Sequence, residues 1–400
     1  MQRTAERATF RDVFAAPEFR ALWLAQVLSV IGDQLARVAL TILVYDRTHS
    51  ALLAAVTFAC SMFPAFFGGV TLSGLADRLS RRAVMITCDV TRAILVVIMV
   101  IPGMPLAGMI VLLFFVTLVG APFLSARAAT YPDVLPGDRY VLGTAVTQTT
   151  FLFAQVIGFA AAGVIVAGFG TRTSLLIDAA TFLASALLVR VWVRARPSPH
   201  TGGGRRARPL ADAAAGARIV FGTPALRLPM LLGWLAAFYD VPEGVATPLA
   251  RTLHGGPVTV GLILAAGALG ASLGMISFSR LVAPANRDRF MAPLAVSCCG
   301  VLILMVFRPG LPGSLLILFA CGLLACFQTA ANAAFVAATP PRSRSQAFGL
   351  AQGGMSLGQG TAMILAGAAA QHIAPPTVIA MAGTVGTLGA LAVTFSNGRR

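Results

Sequence analysis

Ser73-Gly74-Leu75-Ala76-Asp77-Arg78-Leu79-Ser80-Arg81-Arg82 is a polar loop between two long apolar runs, Ala51 to Ser73 and Ala83 to Ile101. Each run is about the 20 residues that an α-helix needs to cross a bilayer. A short arginine-rich connection between two such runs is the pattern of a loop kept on the cytoplasmic side of a membrane. Small residues at Ser73, Gly74 and Ser80 let the flanking helices approach closely. Asp77 stands at a helix end, where it can pair with an arginine or with the N-terminus of a neighbouring helix. Such a contact can form in one conformation and break in another. A basic loop with a capping aspartate is the plainer reading, and both stay open.

Outward from this loop the same alternation runs through the whole chain. Six apolar spans precede the middle: Ala21 to Tyr45, Ala51 to Ser73, Ala83 to Ile101, Leu106 to Ala129, Tyr140 to Phe169 and Thr173 to Val193. Six follow it: Leu228 to Ala250, Val258 to Arg280, Phe290 to Phe307, Gly313 to Ala338, Ala347 to Gln371 and Thr377 to Phe395. They are numbered here as spans 1 to 12. The chain is 57% hydrophobic and 11% charged, whereas soluble domains carry roughly 25% charged residues. No soluble fold of 400 residues has enough interior for that apolar surface. A lipid bilayer accommodates it, and helices satisfy their backbone groups internally there. The expected fold class is an all-α membrane protein of twelve transmembrane helices in two six-helix bundles.

An even number of spans places both termini on one side. Of the 30 basic residues, all arginine, 23 then fall on the side of the termini, counting Arg190 and Arg280 at the cytoplasmic ends of their spans, 4 on the other side and 3 deeper inside spans. The bias predicts cytoplasmic termini in an inner membrane. It also accounts for the net charge of +16 without a nucleic-acid partner. The expected divisions are a cytoplasmic segment 1–20, a bundle 21–193, a linker 194–227, a bundle 228–395 and a tail 396–400. The linker carries Pro197, Pro199, Gly202 to Gly204 and Arg205, Arg206 and Arg208, a composition that disfavours packing. Its later part, Leu210 to Phe221, reads as a short surface helix.

Several functions are excluded. The chain has no lysine, so it has no P-loop and no ATP as partner. It lacks an HExxH motif, a Ser/His/Asp set and metal-ligand spacing, so no enzyme, metal or cofactor is expected. The six cysteines lie in or beside apolar runs with no CxxC pair, and read as buried thiols.

The loop from Ser73 to Arg82 resembles the signature loop of the major facilitator superfamily, G-x-L-a-D-r-x-G-r-r. Asp77, Arg78, Arg81 and Arg82 match, and Ser73 and Ser80 replace glycines. Phe19 to Gln26 with Gly32-Asp33 resembles the first helix of its enterobactin-exporter-like and macrolide-efflux-like branch. So do Asp89 and Arg92, Ala128 to Pro136, and Ile177 to Leu183. The resemblance implies alternating access, a small-molecule substrate, efflux and a cavity lined by spans 1, 4, 5, 7, 10 and 11. A proton-coupled monomer is expected, with an importer or a non-transporting sensor as alternatives. Gly158 to Gly163 resembles the exporters' span 5 motif G-P-x-x-G-G, with Phe159 and Ala162 as departures.

The chemistry is sought among charges inside the spans, where each costs about 2.5 to 3.5 kcal/mol on insertion scales. Asp33 lies near the middle of span 1, and Arg37 is one turn later in the favourable acid-before-base order. They are read as a pair, either structural or exchanging a proton. Asp240 and Glu243 share a face of span 7, and are read either as a proton-carrying pair, since two nearby carboxylates repel and one is pushed toward neutral, or as acids solvated near the outer mouth. Pro242, Gly244 and Pro248 interrupt that span, as in the broken helices of transporter sites. Asp178 in span 6 is a third candidate. Asp89, Arg92 and Arg127 are placed nearer the cytoplasmic face, as gating or snorkelling groups. Gln148, Gln155, Gln328, Asn332 and Gln352 are cavity-lining candidates, and Gln359 is read with them.

Overall fold

A computed structural model describes residues 9–64, 80–196, 209–340 and 344–398. Most of these residues are helical, and among them there is no β-strand. Seven described helices are long and apolar enough to cross a membrane, or eight if the bent pair Gly216–Gly222 and Pro224–Gly244 is one span. One of the seven, Asp138–Trp192, has 55 residues. At 1.5 Å per residue it would measure about 80 Å, far beyond a hydrocarbon core of about 30 Å. Gly170, at φ +78°, breaks it where the sequence separates span 5 from span 6, and a side chain would strain that backbone.

Spans 2, 3, 7 and 11 do not count by length and composition. Span 2 begins as Ala51–Ala59, and its later part lies outside the described residues. Span 3, Arg81–Met99, carries Arg81, Arg82, Asp89 and Arg92. Span 7 is split into Pro224–Gly233, Ala236–Tyr239, Val241–Gly244 and Ala246–Thr252. Span 11 is the helix Arg344–Ala369.

Local chemistry sets the ends. Pro17 starts span 1, and His49 closes it in the left-handed conformation. The Ser50 hydroxyl accepts from the Leu53 N–H at 3.2 Å and caps span 2, as side-chain oxygens do for the orphan donors of a first turn. Pro257 opens span 8, and the last turns of span 9, Leu302–Phe307, tighten into a 3₁₀ helix. Bulky apolar side chains such as Ile94, Val111, Leu187, Leu316 and Leu388 stay exposed, on the surface that lipid covers.

The two bundles meet at the face away from the termini. There Arg251 of span 7 donates to Asp46 of span 1 at 2.6 Å. Gln371 Nε2 donates to Ser50 Oγ at 2.9 Å. Gly163 of span 5 lies on Gly261 of span 8, and a Cβ on either would strike the other's backbone. Gly367 of span 11 rests on Ala51 and Ala55 in the same way. Small residues at such crossings let helix backbones approach. At the terminal face, Glu18 pairs with Arg196 at 2.7 Å. The helix Pro209–Gly222 packs on span 11, with Gly216 against the Gln346 carbonyl.

Candidate functional site

The geometry re-pairs Asp33. Its carboxylate accepts from Arg92 of span 3 at 2.6 Å, and among the described residues Arg37 has no carboxylate within salt-bridge distance. Sequence proximity suggested an intrahelical pair. Instead Arg37 lies over the Phe58 ring, 5.3 Å from its centroid. Arg92 wins Asp33 because span 3 brings its guanidinium to the inner face of span 1, where Ser29 adds an acceptor at 3.2 Å.

Arg92 is also not a snorkelling group. Its side chain is 5% exposed and that of Asp89, one turn earlier, is 0% exposed. It stands eleven residues after Arg81, about 17 Å along the helix, too deep to reach the membrane surface. Asp89 accepts from Ser185 Oγ at 2.5 Å and lies 3.8 Å from Arg92. The Arg92 guanidinium stacks over Phe182 of span 6, 4.0 Å from the ring centroid. Gly120 of span 4 closes its other side. One arginine thus holds four helices together.

Asp178 completes the cluster. It is fully buried, and neither carboxylate oxygen has a hydrogen-bond partner. It packs against Gly32, where a Cβ would strike both Asp178 Oδ1 and Thr181 Oγ1. Gly32 therefore leaves the room that Asp178 occupies, beside Asp33 and within reach of Arg92's charge. Asp33, Arg92, Asp178, Arg37 and Arg127 all line one cavity of about 350 Å³.

A second cavity of about 300 Å³ lies at the break in span 7. Asp240 sits at the joint between two short helices, and Glu243 is in the next turn. Both line this cavity together with Tyr239, Gln155, Gln328 and Gln359. Gln359 Nε2 donates to Asp240 at 2.6 Å, and Gln328 Nε2 donates to the Tyr239 hydroxyl at 2.8 Å. Arg37 lines this cavity as well as the first.

Other sequence candidates fall elsewhere. Gln148, Asn332 and Gln352 are exposed and line neither cavity. Arg81 donates to Asp133 at 2.7 Å, and Arg82 donates to the Arg190 carbonyl. Ser73, Gly74, Asp77 and Arg78 lie outside the described residues. The glycines at Gly158 and Gly163 are packing positions, against Gln34 of span 1 and Gly261 of span 8. Sequence reasoning missed Ser29, Ser185 and Tyr239. Single hydroxyls on apolar helices carry no periodic signal, although Tyr239 adjoins Asp240.

The model of the Major Facilitator Superfamily matches residues 22–242 and 243–399 of this chain. The enterobactin exporter of Citrobacter koseri is 26% identical over 270 residues, 66% of this chain and 64% of that protein. The enterobactin exporter of Shigella boydii serotype 4 is 26% identical over 280 residues, 69% of this chain and 66% of that protein. The matched region thus spans just under two thirds of these relatives. A nucleoside transporter is similar in fold at a TM-score of 0.72 and 15% identity, covering 94% of this chain and 98% of that one. A bacterial homologue of the human lysosomal transporter Spinster, inward-facing and occupied, is similar at a TM-score of 0.73 and 15% identity, covering 95% and 96%.

Proposed function

Since this chain belongs to the major facilitator superfamily, and is therefore a multi-pass membrane transporter rather than an enzyme, we propose that it exports a small molecule by alternating access, driven by proton influx. Its sequence relatives in Citrobacter koseri and Shigella boydii are enterobactin exporters, which supports the direction. One observation carries the coupling: Asp33, ion-paired to Arg92, and Asp178, buried with neither oxygen hydrogen-bonded, line the wall of one cavity together. A proton taken by Asp33 frees Arg92 to turn toward the charge of Asp178, and the positions of spans 1, 3 and 6 respond together. That links protonation to helix packing, which an exchanger requires.

The arginine bias supports cytoplasmic termini. The face joined by Arg251 and Asp46 is then the outer one. Reporter fusions at Arg205 and Arg400 are expected to read as cytoplasmic; external signals would invert the orientation. The transporter acts as a monomer, with the loop at Asp77 latching one of its states.

Inverted vesicles holding the protein, given an imposed acidic interior, test the reading. They are expected to accumulate a fluorescent cargo faster than vesicles without the protein, and to stop when the gradient is collapsed. Asp77→Asn should insert normally and slow this accumulation. Uptake indifferent to the pH gradient would remove proton coupling, and movement only in the opposite sense would make the protein an importer.

A further inference from the structure

The second cavity holds two carboxylates and one arginine that is already shared. Among the described residues no hydrogen bond or salt bridge reaches the Glu243 carboxylate. Arg37 is the cation in electrostatic reach of it. Arg37 shares this cavity with Glu243 and the first cavity with Asp33. Asp240 keeps one oxygen on Gln359. Gln328 spends its amide N–H groups on Tyr239 and on the Gly233 carbonyl at 2.9 Å. The wall thus offers a ligand the open Glu243 carboxylate and the Gln328 carbonyl oxygen as acceptors, beside the Gln155 amide, and the remaining wall is apolar, with Ile263, Leu264 and Leu318.

We propose that the cavity at the break in span 7 is the site for the positively charged group of the cargo, with Asp240 and Glu243 as its counter-charges and Arg37 as the group it displaces. This rests on the transporter reading above, since it assumes that the cavity holds cargo. A cation beside Glu243 satisfies an acid that the protein leaves open, whereas an anion would meet two like charges. The apolar wall suits a lipophilic body. Arg37 lines both cavities, so its displacement carries a positive charge toward Asp33. There it favours the ionised acid, and a proton leaves. Cargo binding and proton release are thereby linked through one side chain.

Tetraphenylphosphonium and tetraphenylborate have nearly the same shape and opposite charge. Equilibrium dialysis of each, separately, against the purified full-length protein in detergent tests the inference, with protein-free micelles as the blank. Saturable binding of the phosphonium at one site per chain is expected, and none of the borate. Glu243→Gln is expected to weaken the phosphonium by at least about tenfold, the factor given by 1.4 kcal/mol. Adding Asp240→Asn should abolish its binding. Arg37→Gln should strengthen it, because the competing cation is gone, so a second arm works even if the acid variants fold poorly. Thermal midpoints and elution profiles report folding for each variant. Absent phosphonium binding, equal borate binding, or affinity unmoved by all three substitutions would overturn the proposal. Binding needs no transport, so a protein that binds as expected yet fails the vesicle test would refute only the exporter reading.

Discussion

Arg92→Leu is expected to lower the thermal midpoint of the purified protein by more than any other single substitution in the first bundle, and to reduce its amount in the membrane. Arg92 is the nearest cation to Asp33 and Asp89, at 2.6 and 3.8 Å, and its charge also acts on Asp178. Leucine fills much of the volume but leaves these acids without their counter-charge. Removing one partner of a buried ion pair costs about 3 to 5 kcal/mol. That is a large part of the 5 to 15 kcal/mol by which folded proteins are typically stable. Arg92→Lys keeps a charge but loses the planar fork that reaches Asp33 and Ser29 at once, so its midpoint should fall between the two. Asp33→Asn added to Arg92→Leu should recover part of the loss, because one stranded acid is gone. A midpoint for Arg92→Leu equal to wild type would show that the cluster contributes nothing to the packing of spans 1, 3, 4 and 6.

Asp33→Asn should bring proton-driven accumulation in inverted vesicles down to the level of vesicles lacking the protein. The amide keeps the size of the side chain and can still accept from Arg92 across the same 2.6 Å contact, but it cannot take up or release a proton in the working range. Exchange of labelled for unlabelled cargo without any pH gradient should persist, since it needs the cavity and not the proton. The side chain of Asp33 is 34% exposed, so water and protons reach it, and its loss should cost less stability than the loss of Arg92. Gradient-driven transport at the wild-type rate would place the coupling elsewhere, with Asp178 or Glu243 next to be substituted.

Much of the candidate site was legible residue by residue, and little of it pair by pair. Asp33, Asp178, Asp240 and Glu243 stand out in the sequence because a carboxylate inside an apolar span is costly. All four line one or other of the two cavities. The partner assigned to Asp33 was the wrong arginine. An i,i+4 spacing makes contact possible on one helix face, but a neighbouring helix can supply a better-placed donor, and span 3 does. Arg92 was read as shallow although it stands at the middle of its span, ten residues into Ala83 to Ile101. Its burial follows from Phe182, Gly120 and Ser29, three residues on three other helices. Amide side chains divided in the same way: Gln155 and Gln328 line a cavity, and Gln148, Asn332 and Gln352 do not.

The sequence by itself determined that this chain crosses a membrane many times as helices, and where most of those helices begin and end. Hydropathy, length and end signals act within a span, so they can be read locally, as at Gly170 and across Pro242, Gly244 and Pro248. Membership of the superfamily was legible for the same reason, since its signature at Ser73 to Arg82 is a continuous stretch. Tertiary structure alone decided which charges meet. Arg92 reaches Asp33 across 59 positions, Gln359 reaches Asp240 across 119, and Arg251 reaches Asp46 across 205. In a medium without water every buried charge must find a partner or a cavity, and which one it finds is set by how rigid helices cross. That crossing depends on close approaches such as Gly32 on Asp178 and Gly163 on Gly261. No pattern within a single span encodes them.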